Sequence, residues 1–379
     1  MPIRVLVAAH TNVSHLCAGL AGHGLEVAGI QPRRIDLGEF GGLREGQQAE
    51  SEFPVLAPPV FPVRPYVYSV YLTGVLRFLR HFHPDVAFLA GEPSELGMAQ
   101  VARLAHRAAP EVRIVFYSLE NLLLDWRGFP RRLRGWALRS SLAQAHLMAA
   151  ASTGVTDVLV RQGFPADRVR LLYPGVRADR FQPRDPTPVR EALGLAPDAF
   201  HIGYVGRLVP EKGLDLLLKA LQGLPPDCHL TIVGDGPEAT SLASLVSHLG
   251  LTPRVRWPGR VAHEQLAPYM SAFDVLVLPS RTLPRWAEQY GQVLVEAMLC
   301  ETPVVGSTCG AIPEIIGETG LVFPEGEVPA LRETLESLRG DHRLRQSLAA
   351  AGRARAEKQF TDVVFFRSLT DILREAGED

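Results

Sequence analysis

The sequence predicts an α/β protein of two doubly wound parallel-sheet domains facing each other across a shared cleft. Short β-branched apolar runs alternate with helical patterns, the signature of parallel βαβ units. The alternation breaks at Gln182–Pro188, where Pro183, Pro186 and Pro188 fall within six residues, and then restarts. A chain of 379 residues is also too long for one ordinary core.

In the first half the expected strands are Arg4–Ala8, Leu25–Ile30, Val86–Ala90, Arg113–Tyr117 and His146–Ala150, with helices over Leu96–Ala108 and Leu133–Ala143. The segment Pro32–Pro65 is rich in Gly, Pro and charge and predicts a long irregular excursion. The proline cluster suits neither a helix interior nor a central strand, so it reads as a linker. Beyond it the expected strands are His201–Val205, Leu230–Val233, Arg254–Trp257, Val275–Leu278 and Pro303–Val305. The expected domains are residues 1–180 and 181–359, with a C-terminal helix at about 360–379 packing back on the first. Ligands of such sheets bind beyond the carboxyl ends of the strands.

Composition narrows the function. A hydrophobic share of 46% and a charged share of 21% describe a globular enzyme, and a net charge of −2 gives no reason to expect nucleic acid as a partner. Cys17, Cys228, Cys300 and Cys309 are scattered, which fits a reduced cytoplasmic protein without a structural zinc. The opening run Ile3–Ala9 has strand length, too short for a signal-peptide core, and no stretch approaches the roughly 20 apolar residues of a bilayer span.

Four stretches carry chemistry. In Gly203–Gly213 a strand ends at Gly206 and a helix begins near Gly213, placing Arg207 and Lys212 five residues apart beside a helix N-terminus. Arg grips phosphate with paired hydrogen bonds, Lys adds a point charge, and the helix end adds partial positive charge; a solvated turn would look the same. In Trp286–Met298, Gly291 stands where a helix over Val293–Leu299 would expose backbone N–H groups. Glu288 precedes that turn, and Glu296 lies in an apolar neighbourhood, where a carboxylate needs hydroxyl or cationic partners. Vicinal sugar hydroxyls are such partners; two surface acids are the plainer alternative. Gly310-Ala311-Ile312-Pro313-Glu314 and Gly234-Asp235-Gly236-Pro237 are strand-end turns with small residues.

Taken in order, these pieces resemble the donor half of retaining glycosyltransferase family 4, of the GT-B type, from Ile202 to Glu325. The resemblance rests on Gly206-Arg207 with Glu211-Lys212-Gly213, on Glu288 and Glu296 as Glu-x7-Glu, on Pro303-Val304-Val305-Gly306, and on Gly310-x-x-Pro313-Glu314. Leu172–Val176 and Phe181-Gln182-Pro183 extend it backwards. It implies that Arg207 and Lys212 bind a diphosphate, Glu296 the nucleotide ribose, and Glu288 the donor sugar's hydroxyls. It further implies that Gln289, Tyr290 and Gly291 touch sugar or phosphate, and that Arg260 and Val261 lie by the base. The implied reaction is metal-independent, with no cofactor beyond the nucleotide-sugar donor; no Asp-x-Asp occurs in the chain. The implied chemistry is front-face transfer of a hexosyl unit to a glycan or lipid-linked acceptor, the departing phosphate taking the proton.

The first half departs from that pattern. His10-Thr11-Asn12 stands where many members carry paired glycines, and Glu120 at about the place of a common histidine, as a candidate catalytic residue or a plain helix-start acid. Glu92 lies at another strand end, and Glu301 replaces a common glycine. Arg127, Arg131, Arg132, Arg134 and Arg139, with Trp126 and Trp136, form a basic aromatic stretch, to which Tyr66–Phe82 adds Arg77 and Arg80. This reads either as a solvated helix face or as peripheral contact with the inner membrane face. An epimerase, a sugar phosphorylase or a silent sugar-nucleotide-binding subunit are the rival readings. A dehydrogenase lacks its Gly-x-Gly-x-x-Gly after the first strand.

Overall fold

The computed structural model describes residues 2–37, 42–45, 52–125 and 128–378, the side chains of residues 129 and 130 apart. Trp126 and Arg127 lie outside the described residues, as do parts of the Pro32–Pro65 excursion. The chain forms two compact units, one of residues 1–172 with 366–379, the other of residues 173–365.

In chain order the first unit has β1 (Arg4–Ala9), β2 (Glu26–Ile30), β3 (Arg34–Asp36), β4 (Leu43–Glu45), β5 (Val55–Leu56), β6 (Val60–Phe61), β7 (Val70–Tyr71), β8 (Val86–Ala90), β9 (Arg113–Ser118), β10 (Ala145–Ala150) and β11 (Val169–Leu171). Its main sheet has the order β11-β10-β9-β8-β1-β2-β5 and every pair in it is parallel. Order reversal beside β1 brings the loops after β1, β8 and β9 to one edge, the switch point of a doubly wound sheet. The excursion is less irregular than expected: β3 pairs with β4 and β6 with β7, both antiparallel, and β5 joins the main sheet. Strands of two or three residues leave no periodic trace to read.

Helix Asp362–Glu378 supplies the last residues of this unit. Phe366 lies where a side chain on Gly19 would go, 2.1 Å from an added Cβ. Arg170 pairs with Glu375.

The second unit has β12 (Phe200–Val205), β13 (Cys228–Val233), β14 (Val255–Gly259), β15 (Val275–Leu278), β16 (Val304–Ser307) and β17 (Leu321–Phe323), in the order β14-β13-β12-β15-β16-β17, again parallel. β14 is an edge strand, which is why it tolerates Pro258. In helix Leu214–Gly223 the residues Leu214, Leu217, Leu218 and Leu221 follow the spacing of one helix face and bury with Ile202, Tyr204, Leu230 and Ile232. Each such side chain contributes about 1.5–3 kcal/mol of burial. The proline cluster lies within this unit, and Pro188 opens helix Thr187–Ala192, in a first turn where its missing N–H costs nothing.

Candidate active site

In the second unit the motif loops all follow strand ends, and glycines set their spacing. After β12, Gly206 leads to Arg207 and a turn of 3-10 helix at Pro210–Lys212. Gly213 follows at φ +66; a Cβ there would stand 2.1 Å from the Pro279 carbonyl oxygen. The Ser280-Arg281 segment clamps this turn: the Arg281 amide donates to the Glu211 carbonyl at 2.8 Å, and its Nε to the Pro210 carbonyl at 2.8 Å. Gly234, after β13, lies against Gly206, with an added Cβ 1.9 Å from the Gly206 carbonyl oxygen. The Leu208 amide donates to the Asp235 carbonyl at 3.0 Å. Backbone on backbone, these loops have no room for side chains.

Lys212 and Glu288, 76 residues apart, meet at 2.6 Å, Nζ to Oε2. Glu288 is 7% exposed, and Ser280 Oγ donates to the same oxygen at 2.9 Å. The Lys212 ammonium also stands 5.0 Å from the centre of the Trp286 ring, within cation–π range. Arg207 reaches to 3.8 Å from Glu211 with its side chain partly in solvent. Glu288 is held from behind by the loop after β16: the Ala311 amide donates to its carbonyl at 2.9 Å, and its own amide to Cys309 Sγ at 3.4 Å. Gly310, at φ +56, would bring a Cβ to 2.1 Å from that carbonyl. The Gly-x-x-Pro-Glu piece therefore sets the backbone of Glu288.

Gly291, at φ +79, caps helix Gln292–Leu299, a left-handed position suited to glycine. Glu296 on that helix is 4% exposed, and its Oε1 accepts from His263 Nε2 at 2.8 Å and Gln292 Nε2 at 2.7 Å. Hydrogen bonding to Glu296 holds the His263 pKa above its usual value against the effect of burial. The Tyr290 ring is buried, edge-on to Phe360, while Gln289 is half-buried. Arg260 is exposed and Val261 half-buried, after Gly259, whose carbonyl accepts from the Gly234 amide at 2.9 Å. Glu301 stands at φ +57, which explains why glycine suits the position, and Arg353 Nη1 donates to its carboxylate at 2.9 Å.

In the first unit Glu92, Glu120 and His10 come together at the ends of β8, β9 and β1. Glu92 accepts from Ser118 Oγ, from the Leu119 amide at 2.8 Å and from the Glu120 amide at 3.0 Å. Burial, then the Glu120 charge, push its pKa up to about 8 despite these hydrogen bonds. His10 Nε2 lies 2.7 Å from Glu95 Oε2. Asn12, at φ +60, adopts the left-handed conformation a glycine would, so the departure in this loop preserves the backbone turn.

The basic stretch does not present one face. Within helix Gly128–Gln144, Arg131, Arg132 and Arg139 are exposed, but Arg134 is 8% exposed and donates to Ser94 Oγ at 2.6 Å, with Glu120 at 4.0 Å. A helix turning 100° per residue cannot keep all of them on one side. The Arg103 guanidinium lies over the Trp136 ring, 5.3 Å from its centre. Among the described residues no helix is long and apolar enough to cross a membrane, and no three of His, Cys, Asp and Glu gather as metal ligands.

Several partners escape sequence reasoning. Gln292, at i to i+4 from Glu296, carries a readable spacing. Ser280, His263, Glu95 and Ser94 carry none, because their partners lie 8 to 85 residues away or on other elements.

Two parallel, helix-flanked sheets with glycine-fixed loops at the strand ends define the GT-B class of fold. The chain belongs to the glycosyl transferases group 1 family, whose profile matches residues 187–355, preceded by a glycosyl transferase 4-like domain over residues 8–175. D-inositol 3-phosphate glycosyltransferase of Mycobacterium tuberculosis (strain ATCC 25618 / H37Rv) is 33% identical over 227 residues, covering 57% of this chain and 45% of that protein. The chain thus spans about half the length of such relatives. Among solved structures, Anabaena HepE in complex with UDP matches at TM-score 0.76 and 20% identity, over 99% of this chain and 100% of that one. Sucrose-phosphate synthase from Thermosynechococcus elongatus matches at TM-score 0.74 and 20% identity, over 98% of each chain. These structural likenesses show the fold.

Proposed function

We propose that the protein is a retaining glycosyltransferase moving a hexosyl unit from a nucleotide-diphosphate sugar to a hydroxyl of a glycan or lipid-linked acceptor. The observation that carries this is the Lys212–Glu288 pair, held at 2.6 Å beside Ser280 by loops whose backbones interlock. A cation and a carboxylate so placed match the two ends of a sugar diphosphate, phosphate oxygens on one side and hydroxyls on the other. The UDP and UDP-glucose complexes of HepE, and the transferase relatives, support the same ligand class.

Breaking the bond from the anomeric carbon to phosphate leaves positive charge on the sugar and a full extra charge on the diphosphate. Arg207 and Lys212 meet that charge from fixed positions, the role a metal ion plays on an Asp-x-Asp motif elsewhere. Glu288 holds the sugar hydroxyls, and Glu296, oriented by His263 and Gln292, takes the ribose. The acceptor oxygen bonds to the anomeric carbon on the face the phosphate leaves, and its proton passes to the departing phosphate oxygen.

Melting curves with a panel of UDP- and GDP-sugars test this, because a ligand of the folded state raises the midpoint by mass action. Arg207→Ala and Lys212→Ala are expected to shrink the shift given by the nucleoside diphosphate. Glu288→Gln should keep that shift while transfer falls about 10²–10³-fold. An undiminished shift in both cation variants overturns the assignment, and binding with neither transfer nor donor hydrolysis marks a silent subunit.

A further inference from the structure

The segment between Ser280 and Glu288 has no task in the transferase reading so far. Leu283 and Trp286 close a tight turn on each other: the Leu283 amide donates to the Trp286 carbonyl at 2.8 Å, and the Trp286 amide to the Leu283 carbonyl at 3.1 Å. The base of the turn is anchored twice. Arg281 pairs with Asp215, and the Thr282 amide and hydroxyl both donate to Glu325 Oε2, at 2.9 Å and 3.0 Å. The half-buried Trp286 ring that this turn presents has its centre 5.0 Å from the Lys212 ammonium. The Lys212 side chain is 15% exposed, and among the described residues Glu288 is its one hydrogen-bond acceptor. An ammonium has three N–H groups, so the others remain for a ligand. Attraction of a cation to a ring face strengthens as water is excluded. Lys212 is therefore held from two sides by different means, a carboxylate that neutralises its charge and a ring that does not.

We infer that Trp286 is a positioning residue, whose ring face keeps the Lys212 ammonium in place for the diphosphate when Glu288 turns to the donor sugar's hydroxyls. The inference rests on the transferase reading and adds to it a residue outside the motifs. Lysine carries a long flexible stem, and fixing it only when the ligand arrives costs rotamer freedom. A stem fixed in advance spares the ligand that cost and tightens binding. A second carboxylate would hold Lys212 as firmly, but it would cancel the charge that the phosphate is to meet. The indole face attracts the cation through its quadrupole and carries no net charge, so Lys212 keeps both its charge and its spare N–H groups. An aliphatic side chain at this position would cover the lysine without attracting it, which separates positioning from cover.

The test uses the full chain, titrated by calorimetry with UDP and with GDP. Trp286→Leu is expected to weaken binding of the nucleotide about tenfold, about 1.4 kcal/mol. Trp286→Phe keeps a ring face and should lose no more than about threefold. In a Lys212→Ala background, Trp286→Leu should weaken binding less than about twofold, because Trp286 acts through the lysine. A merely structural role would give the same loss with or without Lys212. That result, or an equal loss in the Phe and Leu variants, overturns the inference. If Trp286→Leu does not melt cooperatively, Trp286→Met makes the same comparison with a more adaptable apolar side chain. Lys212→Ala alone is read first: if neither nucleotide binds the parent, or if binding is undiminished in this variant, the transferase reading falls. Binding diminished by Lys212→Ala but untouched by Trp286→Leu sinks the role of Trp286 alone.

Discussion

In the second unit Gly213, Gly234 and Gly310 each stand at positive φ with a backbone carbonyl oxygen 1.9 to 2.1 Å from where a Cβ would be. In the first unit the corresponding strand-end glycine, Gly91, would meet side chains, Met98 Cε at 2.8 Å and Cγ at 3.0 Å and Glu95 Oε2 at 2.9 Å. The loops of the second unit are therefore fixed main chain to main chain, and their cations and acids are paired across it: Lys212 with Glu288, His263 with Glu296. The loops of the first unit are held through side chains, and there, beside the pairs His10 with Glu95 and Arg134 with Glu120, acid also neighbours acid, Glu92 with Glu120. On the proposed reading, one unit offers a rigid receptor for an anion. The other keeps a cluster of carboxylates.

Exchanging glycines should break or confirm this contrast most sharply. Gly310→Ala forces a left-handed alanine, about 1–2 kcal/mol, and a clash with Glu288 backbone of similar size, so about 3 kcal/mol in all. The melting point is expected to fall by roughly 6–12 °C, with transfer lost, since Glu288 itself must move. Gly91→Ala should cost less than about 1 kcal/mol, because Met98 can give way. Similar losses in both variants, read by calorimetry, would remove the distinction.

A smaller effect is expected from Glu92→Gln. Its folded pKa, about 8, lies above the ordinary 4.5, so the folded state keeps a proton the unfolded chain releases. The contribution of Glu92 to stability is thus full below about pH 4.5 and fades as pH rises through 8. The melting point of Glu92→Gln, relative to the parent, should therefore climb between pH 5 and pH 9. A difference that stays flat would mean that Glu92 ionises normally. In the second unit the sign reverses at His201, which is fully buried between the Ala272 carbonyl and Thr231 Oγ1, with burial lowering its pKa to about 3. Its contribution is present above the ordinary pKa of 6.5 and is lost as pH falls toward 3.

The smallest effect concerns His263→Ala. Loss of one hydrogen bond to a buried carboxylate, with Gln292 still in place, should raise the donor KM about tenfold and leave kcat nearly unchanged. A fall in kcat at constant KM would instead put His263 in the chemical step.

How much of this was legible follows from the same contrast. The glycine turns of the second unit are short, and each motif carries its own backbone instruction, so Arg207, Lys212, Glu288, Gly291 and Glu296 could be singled out from spacing. The first unit offers no such marks. His10 and Glu95 lie 85 residues apart, Glu92 and Ser118 26, Ser94 and Arg134 40, and nothing local joins them. Arg134 shows the same limit, since among neighbouring arginines only the turn of the helix decides which points inward.

By itself the sequence determined the α/β class, the parallel order of strands and helices, and the family, because periodicity and glycine placement act over a few residues. Tertiary structure alone decided which side chains became partners: His263 for Glu296, Ser280 for Glu288, Arg134 for Ser94. Such pairings are set by strand order in a sheet, which closes distances that the chain spells out far apart.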